Sequence, residues 1–214
     1  MRLLSSGQAE LRAIYGLGIS RTYLGALLRP YSTELAISNK EIASEVCKAY
    51  LRGVTKIIRE NGGEIRSFDG DRVMGVFFEG VKNTNAVRCG LQINWFFQNA
   101  IVAKFKDYYK NSLSNFSLGQ TVGIDRSLVY ISRAGIRMNN DLIWVGRAPN
   151  IAAKLSGVRN GYSTLITETV YNTMLDGAKF GGSQNQNMWY SLSWDDGGNY
   201  GVETIYGSTW WWKP

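Results

Sequence analysis

Residues Glu64–Phe78, which read EIRSFDGDRVMGVFF, are the most informative stretch of this chain. Apolar, strand-forming runs flank Asp69-Gly70-Asp71, and this pattern predicts a tight β-hairpin because Gly adopts positive φ without steric cost. The hairpin places two carboxylates on one turn. Carboxylate oxygens are the ligands that Mg²⁺ prefers, usually together with substrate phosphates. Asp71 is therefore a candidate metal ligand, although turn chemistry alone also accounts for Asp at such positions.

The segments on either side extend the pattern. Upstream, Ser38–Glu41 has the form of a capping box, and apolar residues then follow at three- and four-residue spacing. Gly62-Gly63 predicts the end of that helix. Downstream, the sequence predicts a second helix from about Thr84, strands over 117–124, 128–136 and 142–145, and a helix that begins near Pro149.

The C-terminal part predicts further sheet. A strand over 163–166 precedes a helix that Thr167 caps, and a long hairpin pairs 188–194 with 202–206. Residues 1–31 show only partial helical spacing, which glycines interrupt, and they predict no definite element. We therefore expect one α/β (α+β) domain with helices on one face of a mostly antiparallel sheet.

Composition limits the classes of function. The 214 residues carry a net charge of +7, with 44% hydrophobic and 13% aromatic residues, which indicates a folded globule with an affinity for anions. The positive charge is scattered, so we expect no nucleic-acid partner. The sequence contains no histidine, which excludes Ser-His-Asp hydrolysis and His-ligated zinc.

The cysteines and the hydropathy of the sequence predict where in the cell the protein is found. Cys47 and Cys89 fall at predicted helical positions and are expected to be buried and reduced. No apolar run approaches the roughly 18 residues of a membrane span, and we recognise no signal peptide. We expect a cytoplasmic protein without direct membrane association.

The order of motifs resembles the catalytic domain of class III nucleotide cyclases. Its marks are a helix, Gly-Gly, a strand, a Gly-Asp turn, Val-Met-x-Val-Phe and then Gly-x-x-x-Asn-x-Ala-x-Lys-Leu over 146–155. Segments such as Gln120–Asp125 and Trp144–Ala148, with the Trp-rich tail, are more closely similar to the pyrimidine cyclases of the Pycsar anti-phage system. This resemblance divides the chain into a divergent or incomplete segment (1–31), a cyclase-like domain (32–180) and a C-terminal β extension of the same domain (181–214).

The resemblance implies a ferredoxin-like βαββαβ core with an added C-terminal β-hairpin. It also implies conversion of UTP to 3′,5′-cyclic UMP and pyrophosphate, as a second messenger that acts on a cyclic-nucleotide-gated effector in anti-phage defence. Two alternatives stay open: a cytidylate cyclase that makes cyclic CMP, and a catalytically deficient nucleotide-binding homologue. In this family the pyrimidine nucleoside triphosphate binds at the interface of a homodimer.

Residue roles carry over from the family at three positions of the reacting centre. Asp71 matches a metal ligand, Asn150 the residue that orients the ribose, and Lys154 the cation over the developing phosphate charge. A spacing of four residues places Asn150 and Lys154 on one helical face. Arg147 could meet phosphate at the start of that helix. The alternatives are an exposed surface Lys and a solvated loop Arg.

Two aromatic residues are candidates for substrate binding. Purine cyclases usually carry Lys or Glu where Ser67 stands here, and Phe68 and Trp144 would give a smaller, more apolar pocket that suits a pyrimidine. Core packing explains both aromatic residues equally well.

One position departs from the family. Leu28–Tyr31 stands where a first metal-binding Asp belongs, although the family holds two ions, Mn²⁺ or Mg²⁺. Either this copy is degenerate, or its N-terminal sequence is truncated or misread. A rearranged site that uses Asp69 or Asp125 is the remaining alternative. We expect one carboxylate ligand, Asp71, and little or no turnover.

Overall fold

The computed structural model describes residues 19–29, 40–78, 80–109, 118–136 and 139–214. The helices of this part of the chain are α1 (Lys40–Glu60), α2 (Lys82–Phe96) continued by a π-helical segment (Phe97–Val102), α3 (Ala103–Tyr108), α4 (Arg147–Gly157) and α5 (Glu168–Thr173), with 3₁₀ turns at Asp176–Ala178 and Asp195–Tyr200. The strands are β1 (Ile19–Arg29), β2 (Gly63–Asp69), β3 (Arg72–Phe77), β4 (Gly119–Ile136), β5 (Asn139–Gly146), β6 (Thr164–Thr167), β7 (Phe180–Gly181), β8 (Gln186–Asn187), β9 (Tyr190–Ser193) and β10 (Thr204–Ser208).

One mixed sheet organises the fold. Its strand order is β2-β3-β1-β4-β6-β10-β9, and β5 pairs with β4 outside this path. The first four strands, connected β1-α1-β2-β3-α2-β4 and ordered 2-3-1-4, form the predicted ferredoxin-like βαββαβ core. The predicted C-terminal hairpin is confirmed as well, since β9 pairs antiparallel with β10, which continues the sheet beside β6.

Strand β1 lies at the centre of the sheet, between β3 and β4 and antiparallel to both. The sequence predicted no definite element here, because Gly25 interrupts a short apolar run. The side chains of Leu24, Ala26 and Leu28 are fully buried, as expected for alternate residues of a central strand. The predicted capping box at Ser38 lies outside the described residues.

Helices cover both faces of the sheet, so the prediction of helices on one face is wrong for α4. Helices α1 and α2 pack over Leu24 and its neighbours in the main core. On the other face, Gly25 and Gly123 pair across β1 and β4. A Cβ atom at Gly25 would lie 3.1 Å from the carbonyl oxygen of Ala152 in α4, and one at Gly123 only 2.3 Å from it. These two glycines therefore allow α4 to approach the sheet closely.

Strand β4 runs without a break through Asp125-Arg126-Ser127, where the sequence predicted a gap between two strands. Its ladder with β1 continues from the pair Arg29/Gly119 to the pair Ile19/Val129. Pairing with β1 thus holds these polar residues in the sheet, and the buried Asp125 accepts hydrogen bonds from Arg147 and Thr167.

The burial of the two cysteines and the hydropathy of the helices can be compared with the sequence predictions. Cys89 is buried and Cys47 half-buried, and burial is the main cause that raises the pKa of each thiol. Within the described ranges, no helix combines the length and the apolar character needed to cross a bilayer.

Candidate active site

The β2–β3 hairpin forms as predicted, with Gly70 and Asp71 as its two turn residues between the pair Asp69/Arg72. Gly70 has φ of +59°, whereas Asp71 has none of the positive φ that a type I′ turn requires at its second position. The turn therefore depends on a glycine at its first position. Asp69 is 83% exposed, and its carboxylate lies 3.8 Å from the Arg72 guanidinium, a loose surface contact.

The neighbour of Asp71 on the central strand is Leu28. The Leu28 N–H donates to the Asp71 carbonyl oxygen at 3.2 Å, and the Leu28 side chain is fully buried. A leucine at this point supplies no metal ligand. Within the part of the chain that the structure describes, no three His, Cys, Asp or Glu residues are grouped so as to hold a metal ion.

Asp71 also faces α1. After burial, the negative charge of Asp71 is the next cause that raises the pKa of the Cys47 thiol, which places the carboxylate beside that helix. Asp125, by contrast, pairs with Tyr23, five residues along β1 from Leu28. Five strand residues span about 16 Å, so Asp125 does not stand in for the missing ligand beside Asp71 of the same chain.

The other candidate residues project from α4. Asn150 and Lys154 are both exposed on this helix, and the Asn150 side-chain amide donates to the Gly146 carbonyl at 3.5 Å. The Lys154 ammonium lies 4.9 Å from the centroid of the Tyr200 ring, within the range of a cation–π contact. The helix thus presents a polar amide and a cation one turn apart.

Arg147 begins α4 and contacts Asp125. Its Nε and Nη2 donate to the two Asp125 oxygens at 3.2 and 3.3 Å, and Nη2 also reaches the Arg126 carbonyl. Thr167 occupies the predicted N-cap position of α5, but its hydroxyl donates to Asp125 at 2.6 Å and makes no capping hydrogen bond. Burial raises the pKa of Asp125 despite these donors. The guanidinium therefore anchors α4, and its contact with phosphate stays a prediction.

The two aromatic candidates lie on opposite faces of the sheet. Phe68, 57% exposed, borders an open groove of about 560 Å³ with α1 residues such as Leu51 and Thr55. Trp144 packs instead with Phe78 on the α4 side, with ring centroids 6.2 Å apart. One chain therefore does not bring Phe68 and Trp144 into one pocket, and their shared role stays a prediction.

Sequence reasoning missed Arg66 beside Trp144. Its guanidinium lies 5.0 Å from the Trp144 ring and 5.1 Å from the Phe78 ring, and it also pairs with Glu64. A register shift between Ile65 and Ser67 accompanies this arrangement. No pattern in the sequence marks that bulge, and the same holds for Tyr200, which reaches Lys154 from the distant C-terminal extension.

The 2-3-1-4 sheet, with the Gly-Asp hairpin at one end and α4 across the opposite face, has the fold of class III nucleotide cyclase domains. Solved structures share this fold. The adenylyl cyclase CyaB from P. aeruginosa aligns over 88% of this chain and 93% of its own, with a TM-score of 0.65 and 20% identity. The guanylyl cyclase Cya2 aligns over 91% and 94%, with a TM-score of 0.69 and 18% identity.

Curated relatives narrow the class. A uridylate cyclase of Burkholderia cepacia is 40% identical over 85% of this chain and 75% of the relative. Another, of Rhodovulum sp. (strain MB263), is 36% identical over 99% and 85%. No protein-family model matches the chain. At this identity and coverage, the chain belongs to the uridylate cyclase family of class III nucleotide cyclases.

Proposed function

We propose that this chain forms 3′,5′-cyclic UMP and pyrophosphate from UTP, in the cytoplasm, as a second messenger that gates an effector in anti-phage defence. The observation that carries the proposal is its identity of 36–40% to uridylate cyclases over most of its length. The Asn150–Lys154 pair on α4 also supports it, because the two side chains suit the ribose and the phosphate of the substrate. Cyclic CMP from CTP is the alternative product.

The reaction needs two groups that α4 offers. The 3′-hydroxyl of the ribose gives up its proton to solvent, its oxygen attacks and bonds to the α-phosphorus, the bond from that phosphorus to the bridging oxygen breaks, and pyrophosphate leaves. Asn150 would hold the ribose so that its 3′-oxygen faces the phosphorus. The Lys154 ammonium would face the charge that develops on the α-phosphate oxygens, where such a contact contributes about 10²–10³-fold in rate.

The hairpin half does not fit the two Mn²⁺ or Mg²⁺ ions expected for the class. Two bridging ions need two carboxylates at this corner, and the described residues offer Asp71 next to Leu28. We assign no step to a metal for this reason. This same observation favours a second candidate function, a nucleotide-binding homologue with little or no turnover.

We further propose a homodimer with a composite site. Asp71 lies beside α1, while Asn150 and Lys154 lie on the helix that covers the opposite face, so Asp71 of one chain would serve the pair of the other. An exposed apolar surface supports this assembly: around and beyond Val129, the last residue paired with the described part of β1, strands β4 and β5 expose Leu128, Tyr130, Ile143 and Val145. Contiguous exposed apolar residues of this kind typically mark protein–protein contacts.

The direct test incubates the purified chain with Mn²⁺ and UTP, CTP, ATP or GTP in parallel and quantifies cyclic products by mass spectrometry. Cyclic UMP should exceed the other products, and Asp71→Asn should abolish it without unfolding, because Asn is also favoured in turns. A folded Asp71→Asn variant that keeps most of the activity would show that Asp71 is not a metal ligand. UTP binding without any product would support the second candidate function.

Mixing experiments test the composite site. Asp71→Asn chains are expected to be silent and Lys154→Ala chains to keep only a weak residual rate, but a mixture should regain part of the activity, because a mixed dimer holds one intact pair. If both variants form dimers that exchange subunits, and the mixture still makes no product, the composite site is wrong.

A further inference from the structure

The C-terminal extension packs against the helix that carries Lys154. Trp194 and Val202 are both buried in one apolar cluster with Ile151 and Leu155 of α4. The segment between them, Asp195–Tyr200, is the 3₁₀ turn that precedes β10. A short connection with both ends buried against α4 has little freedom to move away from it.

Close backbone packing fixes this segment further. The Gly197 N–H donates to the Trp194 carbonyl at 2.9 Å, and the Val202 N–H donates to the Gly197 carbonyl at 3.0 Å. A Cβ atom at Gly197 would lie 1.8 Å from the Val202 carbonyl oxygen and 2.5 Å from the Trp194 ring. The compact turn therefore requires glycine at this position, and it holds the following Tyr200 next to α4.

Resting on the proposed role of Lys154 at the phosphate, we propose that Tyr200 is its positioning residue. The ammonium lies 4.9 Å from the Tyr200 ring centroid, and Tyr200 is 41% exposed. A Lys side chain has many rotamers, and an aromatic face that attracts the ammonium reduces their number before substrate binds. Lys154 is itself exposed, so its ammonium can still donate to a phosphate oxygen. The extension would thereby help to position Lys154.

Chemical labelling tests the contact without any need for turnover. A succinimidyl acetate reagent acylates accessible Lys amines, and an amine held against the Tyr200 ring is less open to its approach. Tyr200→Leu should therefore raise the acylation rate of Lys154 about two- to fivefold, the factor of an exposed cation–π contact. Tyr200→Phe should leave the rate unchanged, since the ring remains. Tyr190→Leu removes another exposed tyrosine of the extension and serves as the matched control. An unchanged rate in Tyr200→Leu, with Lys48 as internal reference, overturns the proposal.

Kinetics test whether the contact acts through Lys154. Tyr200→Leu should lower kcat for cyclic UMP about two- to fivefold with little change in KM, Tyr200→Phe should restore it, and Tyr200→Leu should have no further effect in the Lys154→Ala background. An equal loss in both backgrounds would show a merely structural role and overturn the proposal. If Lys154→Ala itself leaves turnover unchanged, the proposed role of Lys154 fails, whereas the labelling rates still decide whether Tyr200 holds the ammonium.

Discussion

The β2–β3 hairpin and helix α4 are the two halves of the candidate site, and they differ in how complete they are. Helix α4 is seated on Gly25 and Gly123, anchored through Arg147 on the buried Asp125, and flanked by the extension that carries Tyr200. The hairpin forms as well, with Gly70 at positive φ in its turn. What the hairpin lacks is a second carboxylate beside Asp71, because the neighbouring strand β1 has Leu28 at that place.

The comparison shows that the backbone of the hairpin can keep its geometry while a side chain needed for the chemistry is missing. The N–H of Leu28 donates to the Asp71 carbonyl, and that hydrogen bond needs no particular side chain on β1. The scaffold of the hairpin half can therefore persist while its second carboxylate is absent. The defect is local, and a local change should repair it.

The largest expected effect comes from that repair. We predict that Leu28→Asp combined with Arg29→Leu and Tyr31→Asp, which creates Asp-Leu-x-Asp before Ser32, raises cyclic UMP synthesis by on the order of 10³-fold at saturating Mn²⁺. Two carboxylates should then hold two ions. Without metal, the buried Asp should lower the melting temperature, so Mn²⁺ should stabilise this variant more than the parent chain.

Strong activity of the unmodified chain would mean that another carboxylate of the chain serves as the second metal ligand. Vigorous synthesis by the unmodified chain, abolished by Asp69→Asn or Asp125→Asn, would show that the site is rearranged and that the contrast between the two halves is wrong. The repaired and parent chains are compared in one assay, with Asp71→Asn as the inactive control for each.

A second prediction concerns the complete half. Lys154→Ala should lower kcat about 10²–10³-fold, the usual scale for the loss of one transition-state charge contact, while UTP binding weakens much less. Steady-state kinetics together with calorimetric UTP binding separate the two effects. A turnover number equal to that of the parent would show that Lys154 is an ordinary surface cation.

A third prediction concerns the seat of α4. Gly123→Ala should destabilise the fold by about 1–3 kcal/mol, because its methyl group would meet the Ala152 carbonyl oxygen at 2.3 Å. Gly157→Ala, at the C-terminal end of α4, is the matched control, since a Cβ at that position meets no atom within 4 Å. Urea unfolding of both variants decides the matter, and equal stabilities would contradict the close approach of α4.

The smallest expected effect is a change in pH dependence. Burial raises the pKa of Asp125, so the folded state keeps this proton to higher pH than the unfolded chain does. The contribution of Asp125 to the free energy of unfolding therefore falls as pH rises from about 3.9 towards the raised pKa. Asp125→Asn does not titrate, and the melting temperature of the parent minus that of this variant should shrink between pH 4 and pH 7. A difference that grows with pH would contradict the raised pKa.

Local sequence determined several parts of this protein. Gly70 and the apolar runs around it specify the hairpin, because the turn needs positive φ at one residue and strands need alternating apolar positions. The spacing of apolar residues likewise predicted helix α1, whereas the ferredoxin-like core was an implication of the resemblance to nucleotide cyclases. Asn150 and Lys154 share a helical face because they are four residues apart.

Tertiary structure decided the rest. Strand β1 escaped prediction because its glycine weakens the local pattern, and the reason for Gly25 is the approach of α4 from the other face. The unbroken β4, the Asp125–Arg147 contact and the Tyr200–Lys154 contact join residues far apart in the chain. Spacing along a sequence encodes which side chains share a strand or helix face, but only packing determines which faces meet.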